Sequence, residues 1–261
     1  MTSDGRRFPD TVPPPEQVLF QDEDLLAGHV TRLTGSEADH ARRSLRLHRG
    51  DPIHLVNGHG IRCRGRIMDV GKQFVDIAVE AGEILPVWPR RTIRLGAGVL
   101  RSSRMDFLVE KASELGVSSL TPLVLERSVA RPGAEGAKED RWHRLAVESL
   151  KQCRRAFLME LAEPLGLEAF LAARPEGDTL WMADPAGEDP SWAASRTGPG
   201  TLTLVVGPEG GLSPRERDLL LGRGGLAVRR GGHRLRAETA AATLITAALT
   251  LLGELGEEAG G

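Results

Sequence analysis

The chain has 261 residues, 40% of them hydrophobic and 27% charged, with a formal net charge of −2. That length suits one large domain or two small ones, and the balance is that of an ordinary soluble protein. Its two cysteines, Cys63 and Cys153, have neither CxxC nor metal-ligand spacing, which argues against a disulfide framework and a zinc site and makes a reducing cytoplasm the expected setting.

Residues 1–20 are expected to form a flexible leader. Met1 to Gln17 lacks an apolar core and carries Pro9 and Pro13 to Pro15, against the pattern of a signal peptide. Val30 to Leu33 reads as a strand. Ser36 with Asp39 resembles a capping box opening a short basic helix to about Leu47. Ile53 to Asn57, Ile61 to Val70 and Gln73 to Glu80 alternate or cluster β-formers between Asn57-Gly58 and Gly71-Lys72 turns, which predicts a small antiparallel barrel. Pro86, Pro89 and Arg90-Arg91 then mark a linker, placing a domain over residues 21–88 and another over 89–261.

Beyond the linker, strands alternate with helices. Strands are expected at 93–100, 119–125, 179–183 and 201–206, and helices at 102–115, 139–154, 214–222 and 237–252, the βα pattern of a parallel sheet covered on both faces. Residues 131–139 and 184–200 read as loops. The longest uncharged run, Thr239 to Gly253, spans 15 residues, fewer than the roughly 20 a membrane-spanning helix requires. It reads as a buried or interface helix.

Charge is clustered despite the small net value. Between Arg32 and Arg66 eight arginines face three acids, and between Arg215 and Arg236 seven face two. The first cluster is a candidate phosphate-binding face, or else solvated surface. The second overlaps the most distinctive part of the chain. There Val205-Val-Gly-Pro-Glu-Gly-Gly-Leu-Ser213 reads as a strand running into a glycine-rich turn and a helix, with Ser213 as N-cap and Pro214 at the first helical position. The turn lacks the Lys-Ser/Thr ending of a P-loop, which argues against a nucleoside triphosphate. A second loop-to-helix junction follows at Arg234-Leu-Arg-Ala-Glu-Thr-Ala240, after Gly231-Gly232.

GPEGGLS followed by LRAETAA resembles the signature of the ribosomal RNA small-subunit uridine-N3 methyltransferase family, a branch of the SPOUT class. Met105 to Val117, Thr121-Pro122, Glu126-Arg127-Ser128, Gln152-Cys-Arg-Arg155 and Asp39-His40-Ala-Arg-Arg-Ser-Leu-Arg46 fall in the family's order, so the likeness covers roughly residues 29 to 252. The resemblance implies an α/β fold whose mostly parallel sheet is knotted as a trefoil, with helices on both faces, preceded by a small PUA-like β-barrel domain that binds RNA. It implies S-adenosyl-L-methionine as cofactor, N3 of a uridine in 16S ribosomal RNA as target, and a homodimer built partly on the last helix. The partner is ribosomal RNA or the assembled small subunit, with no membrane. Another RNA target, or a non-catalytic role in ribosome assembly, are the rival readings.

By the same resemblance, Gly207, Pro208, Glu209, Gly210, Gly211, Arg230, Gly231, Arg234, Leu235 and Thr239 are expected at the cofactor. Thr239 could instead cap the last helix. Glu209 orients Arg236 or serves as a helix N-terminal acid. Arg236 is the candidate for stabilising negative charge on the base, and Glu238 is a weaker candidate for the catalytic base. RNA contacts are expected from His40, Arg43, Arg46, Arg101, Arg104, Lys111, Arg127 and Arg155, although Lys111 and Glu114 stand three apart and could simply pair. The cofactor loop departs from the family at Arg230, Gly232, His233 and Arg234, where leucine, proline, a basic and an aliphatic residue are usual.

Overall fold

The computed structural model describes residues 17–84, 91–128, 137–229 and 231–254. The chain divides into two compact units at Ile84/Leu85, and most of the leader, with Pro86, Pro89 and Arg90 of the linker, lies outside the described residues.

In the first unit the strands are β1 (Val18–Phe20), β2 (Val30–Thr34), β3 (Pro52–Val56), β4 (Ile61–Val70) and β5 (Phe74–Ile84). They form one sheet in the order β1-β3-β4-β5-β2. Strand β1 falls within the segment read as leader and pairs parallel with β3, so the sheet is mixed where an antiparallel one was expected. Period-two alternation explains the core: Leu33 on β2 and Cys63 and Ile67 on β4 are buried, while Arg64 and Arg66 point outward. Gly65 is required there, because a Cβ would stand 2.8 Å from Ile77 Cγ2, beside a register shift between β4 and β5.

The basic helix differs from its expectation. Helix α1 (Gly35–Asp39) has Thr34 at its N-cap without a side-chain bond and passes directly into a π-helical turn, His40–Ser44. The Ser36–Asp39 capping box does not form. Glu37 reaches away instead, its Oε2 accepting from the backbone N–H of Phe20 at 2.9 Å.

The second unit contains β6 (Ile93–Gly98), α2 (Ser102–Glu114), β7 (Ser119–Val124), α3 (Ala137–Gln152), β8 (Glu160–Leu161), β9 (Leu165–Gly166) and α4 (Leu167–Ala172). Then come β10 (Thr179–Glu188), α5 (Pro190–Ala194), β11 (Leu202–Val206), α6 (Pro214–Gly222), β12 (Leu226–Val228) and α7 (Ala237–Leu251). The sheet runs β12-β10-β11-β6-β7-β8 with β9 also on β7, and every pair is parallel. Such strands must be apolar on both faces, and all five residues of β11 are buried. Leu204 and Val206 join the core under α2 and α7, whereas Val205 joins the one under α4 and α6. Part of the segment read as the loop 184–200 is helix α5, opened by Asp189, whose side chain accepts from Ser191 N.

The outer side of helix α7 carries threonines together with Leu251. Leu244, Ile245, Ala248 and Leu249 are buried within the unit, and Thr239, Thr246 and Thr250 are exposed. The hydroxyls of Thr246 and Thr250 donate to the carbonyls of Ala242 and Thr246, both at 2.8 Å. Intrahelical bonding therefore leaves the threonine methyls for the outer face.

Candidate functional site

Three neighbouring strands, β10, β11 and β12, end at a cavity of about 850 Å³ whose lining includes Ala183, Val206 and Val228. Carboxyl ends of parallel strands are where an open α/β sheet offers a crevice. Its floor is the turn after β11. Ser213 caps α6 in a full capping box with Glu216, and Gly211 N bonds to Pro208 O at 2.8 Å.

The three glycines of the turn do different work. Only Gly211 has a positive φ, 73°, with open space where a Cβ would stand. Gly207 and Gly210 are needed for close approach: a Cβ would lie 2.8 Å from Leu212 N in the first case and 2.9 Å from Arg127 Cβ in the second. Gly98, at the end of β6, was not anticipated as part of the site. A Cβ there would meet Pro208 N at 2.5 Å, so β6 supports the turn by contact. Glycine inside a strand is the available sequence signal for such an approach.

The second junction faces the first. Gly231, Arg234, Leu235 and Arg236 line the cavity together with Gly207, Pro208, Glu209, Gly210 and Gly211. Arg230 lies outside the described residues. Thr239 is exposed on α7 and does not line the cavity. Arg236 is the N-cap of α7, and its guanidinium, exposed at the cavity, has no side-chain partner among the described residues.

Glu209 does not engage Arg236; its partner is Arg104. Arg104 Nη1 donates to Glu209 Oε1 at 3.3 Å, and Arg104 Nε stands 3.8 Å from Glu238 Oε1. The Glu238 side chain is only 10% exposed, and Oε2 of both glutamates is buried without a hydrogen-bond partner among the described residues. One guanidinium is thus shared by two carboxylates that retain acceptor capacity. Glu238 itself is not among the lining residues, whereas Arg104 is.

Of the side chains expected at RNA, Arg104 and Arg127 belong to this cavity. Arg127 Nη1 donates to the carbonyls of Gly210 and Leu212 at 3.2 and 3.0 Å, bracing the turn. The backbone N–H of Arg101 lies 3.5 Å from Glu209 Oε1, and its side chain is exposed. Lys111 pairs with Glu110 at 2.7 Å and Glu114 at 2.9 Å, which raise its pKa. Arg155 is half-buried, and burial lowers its guanidinium pKa from the ordinary value. Arg43 and Arg46 are exposed in the first unit beside the half-buried His40, with Arg43 3.5 Å from Asp39. Asp184, which opens the loop 184–200 that the sequence placed as a possible border of the cofactor, and Arg217 of the second basic cluster line the cavity and pair at 2.5 Å, the hydrogen bond raising the Arg217 pKa. No group of three or more metal-ligating side chains occurs among the described residues.

With this geometry in view, comparison with known proteins is specific. Residues 87–249 match the model of an RNA methyltransferase domain, and residues 33–80 that of an RNA methyltransferase PUA domain. The ribosomal RNA small subunit methyltransferase E of Aquifex aeolicus is 34% identical over 220 residues, covering 84% of this chain and 93% of that protein. Among solved structures, the same-named protein of Neisseria gonorrhoeae, bound to S-adenosyl methionine, superposes with a TM-score of 0.83 at 25% identity, covering 90% of this chain and 98% of its own. A Legionella pneumophila protein in complex with bound cofactor SAM gives 0.83 at 26%, covering 90% and 97%.

Proposed function

Because the chain belongs to the family of RNA methyltransferases that includes ribosomal RNA small subunit methyltransferase E, we propose that it methylates N3 of a uridine in 16S ribosomal RNA with S-adenosylmethionine as donor, in the cytoplasm. The observation that carries the reading is the pair of loop-to-helix junctions closing on one cavity, with a free guanidinium, Arg236, at its edge.

The residues present fit the cofactor. A cavity of about 850 Å³ falls within the roughly 300–1,000 Å³ of small-molecule sites, and the glycine turn that helps to line it packs too closely on Leu212 and Arg127 at Gly207 and Gly210 for any side chain there. S-adenosylmethionine supplies an activated methyl group on sulfur. The protein's task is alignment of nucleophile and methyl carbon, for which backbone-lined loops on rigid strands are suited. Loss of the N3 proton to solvent water leaves negative charge on the uracil carbonyls, and Arg236 stabilises it without risk of deprotonating itself. Glu238 positions Arg104 rather than meeting the base. RNA phosphates are held by Arg43 and Arg46 in the PUA domain and by Arg101 beside the cavity.

Nucleoside mass spectrometry of ribosomal RNA from a strain lacking the protein tests the reading: 3-methyluridine should vanish from 16S RNA and return with the wild-type gene. A different missing nucleoside would assign another target. Arg236→Lys is expected to lower the single-turnover rate at saturating cofactor by at least about tenfold, with a smaller change in cofactor affinity. Equal rates for both proteins would make Arg236 structural.

The same reading includes a trefoil knot in the methyltransferase domain and a homodimer across the threonine face of α7. Thr246→Glu should then give monomers with the cofactor still bound, because it charges the outer face alone. Leu249→Glu is a different experiment, since Leu249 is fully buried and its replacement should prevent folding. Sedimentation decides: an unchanged assembly state in Thr246→Glu removes α7 from the interface.

A further inference from the structure

The lining of the cavity is more positive than its cofactor needs. Six arginines contribute, at positions 104, 127, 217, 229, 234 and 236, against two carboxylates, Asp184 and Glu209. Arg217 is matched by Asp184 and Arg104 by Glu209, which leaves an excess of four. Counting Glu238, which reaches Arg104 from outside the lining, the excess is still three. Among the described residues, Arg234 Nη2 meets only the backbone carbonyl of Glu209, at 3.4 Å, and the guanidinium of Arg229 has no partner. Both are exposed.

S-adenosylmethionine carries a sulfonium, an ammonium and one carboxylate, so it enters as a cation. Like charges repel it from this lining, and the excess calls for an anion that occupies the same cavity during the reaction.

We propose that Arg229 and Arg234 clamp a backbone phosphate of the RNA at the target nucleotide, and that this phosphate, by neutralising the lining, tightens binding of the cofactor. The inference rests on the reading of the chain as an S-adenosylmethionine-dependent RNA methyltransferase. It makes the two ligands partners: RNA strengthens the cofactor, and by linkage the cofactor strengthens RNA by the same factor. The cofactor loop is then also a substrate-binding element.

The test is calorimetry of S-adenosylmethionine on the full chain at low salt, comparing wild type with Arg229→Gln/Arg234→Gln, each with and without a uridine-containing RNA oligonucleotide. Removing a like charge roughly 7 Å away in water is worth about threefold in affinity. The double variant alone should therefore bind the cofactor up to about tenfold tighter than wild type, and raised salt should narrow that gap. RNA should tighten cofactor binding in wild type and do so much less in the variant. The variant's RNA affinity should fall, with the slope of log affinity against log salt shallower by about 0.7 for one phosphate contact on a single strand.

Equal or weaker cofactor binding in the variant would overturn the proposal and make these arginines walls of the cofactor pocket. So would an enhancement by inorganic phosphate equal to that by RNA, which would mark a general anion site. Failure of wild type to bind S-adenosylmethionine under all these conditions would overturn the methyltransferase reading itself, while the salt slope would still report whether the two arginines hold RNA.

Discussion

Gly98→Val is expected to abolish cofactor binding although position 98 does not line the cavity. The new side chain would be driven into Pro208 N at 2.5 Å, Pro208 Cδ at 2.6 Å and the Gly207 carbonyl carbon at 3.0 Å. These are mostly backbone atoms of the turn, which cannot swing aside as a flexible side chain can. Overpacking of this kind typically destabilises by 1–3 kcal/mol, and the upper end, about 3 kcal/mol, is expected here, lowering the melting temperature by on the order of 10 °C. Calorimetry and thermal melting separate the two effects. Gly222→Ala, at the end of α6 with open space around the added methyl, is the control and should change neither. A Gly98→Val protein with wild-type cofactor affinity would show that β6 does not seat the turn.

Arg104→Met should be the other severe substitution. Glu209 and Glu238 are 19% and 10% exposed at the side chain, and Met removes the cation they share while keeping much of the volume. Stranding buried carboxylates after deletion of their partner costs about 3–5 kcal/mol, reduced here because Glu209 keeps some contact with solvent. The same change should lower methylation by more than the loss of folded protein explains, since the guanidinium fixes the glycine turn relative to the start of α7. Restoring stability with Arg104→Met/Glu238→Gln tests the assignment. If the double variant is no more stable than the single one, Glu238 does not depend on Arg104.

Much of this arrangement was legible in the sequence, and the omissions have physical causes. The βα alternation from Ile93 onward announced a parallel sheet because strands buried on both faces are apolar throughout, and the Ser213-Pro214 start of α6 was readable from the N-cap preference and the fixed φ of proline. Short elements such as β8, β9 and β12 escaped because two or three residues carry no periodicity. The identity of the residue facing Glu209 was also out of reach. Arg104 and Glu209 are 105 positions apart, and nothing in either segment distinguishes Arg104 from Arg236 as the partner. The burial of Arg155 is set by neighbours that a motif does not name, whereas the Lys111–Glu114 pair was readable from their spacing of three on a helix. The exposed threonines of α7 were harder to weigh from sequence, because Thr246 and Thr250 turn their hydroxyls onto carbonyls of their own helix.

The carboxylate of Glu216 is 6% exposed as a residue and holds two segments at once: Oε2 accepts from Ser213 N and Oε1 from Glu126 N, each at 2.8 Å. The glycine turn is therefore pinned at its far end to the strand-β7 loop before any ligand arrives. In hydrogen-exchange terms, the amides of Ser213 and Glu126 belong with the slowly exchanging core, and cofactor addition should alter their protection little. Binding to so preorganised a turn spends little conformational entropy on the protein side, and the ordering required for reaction falls on the flexible methionine tail of the cofactor and on the RNA that must reach it.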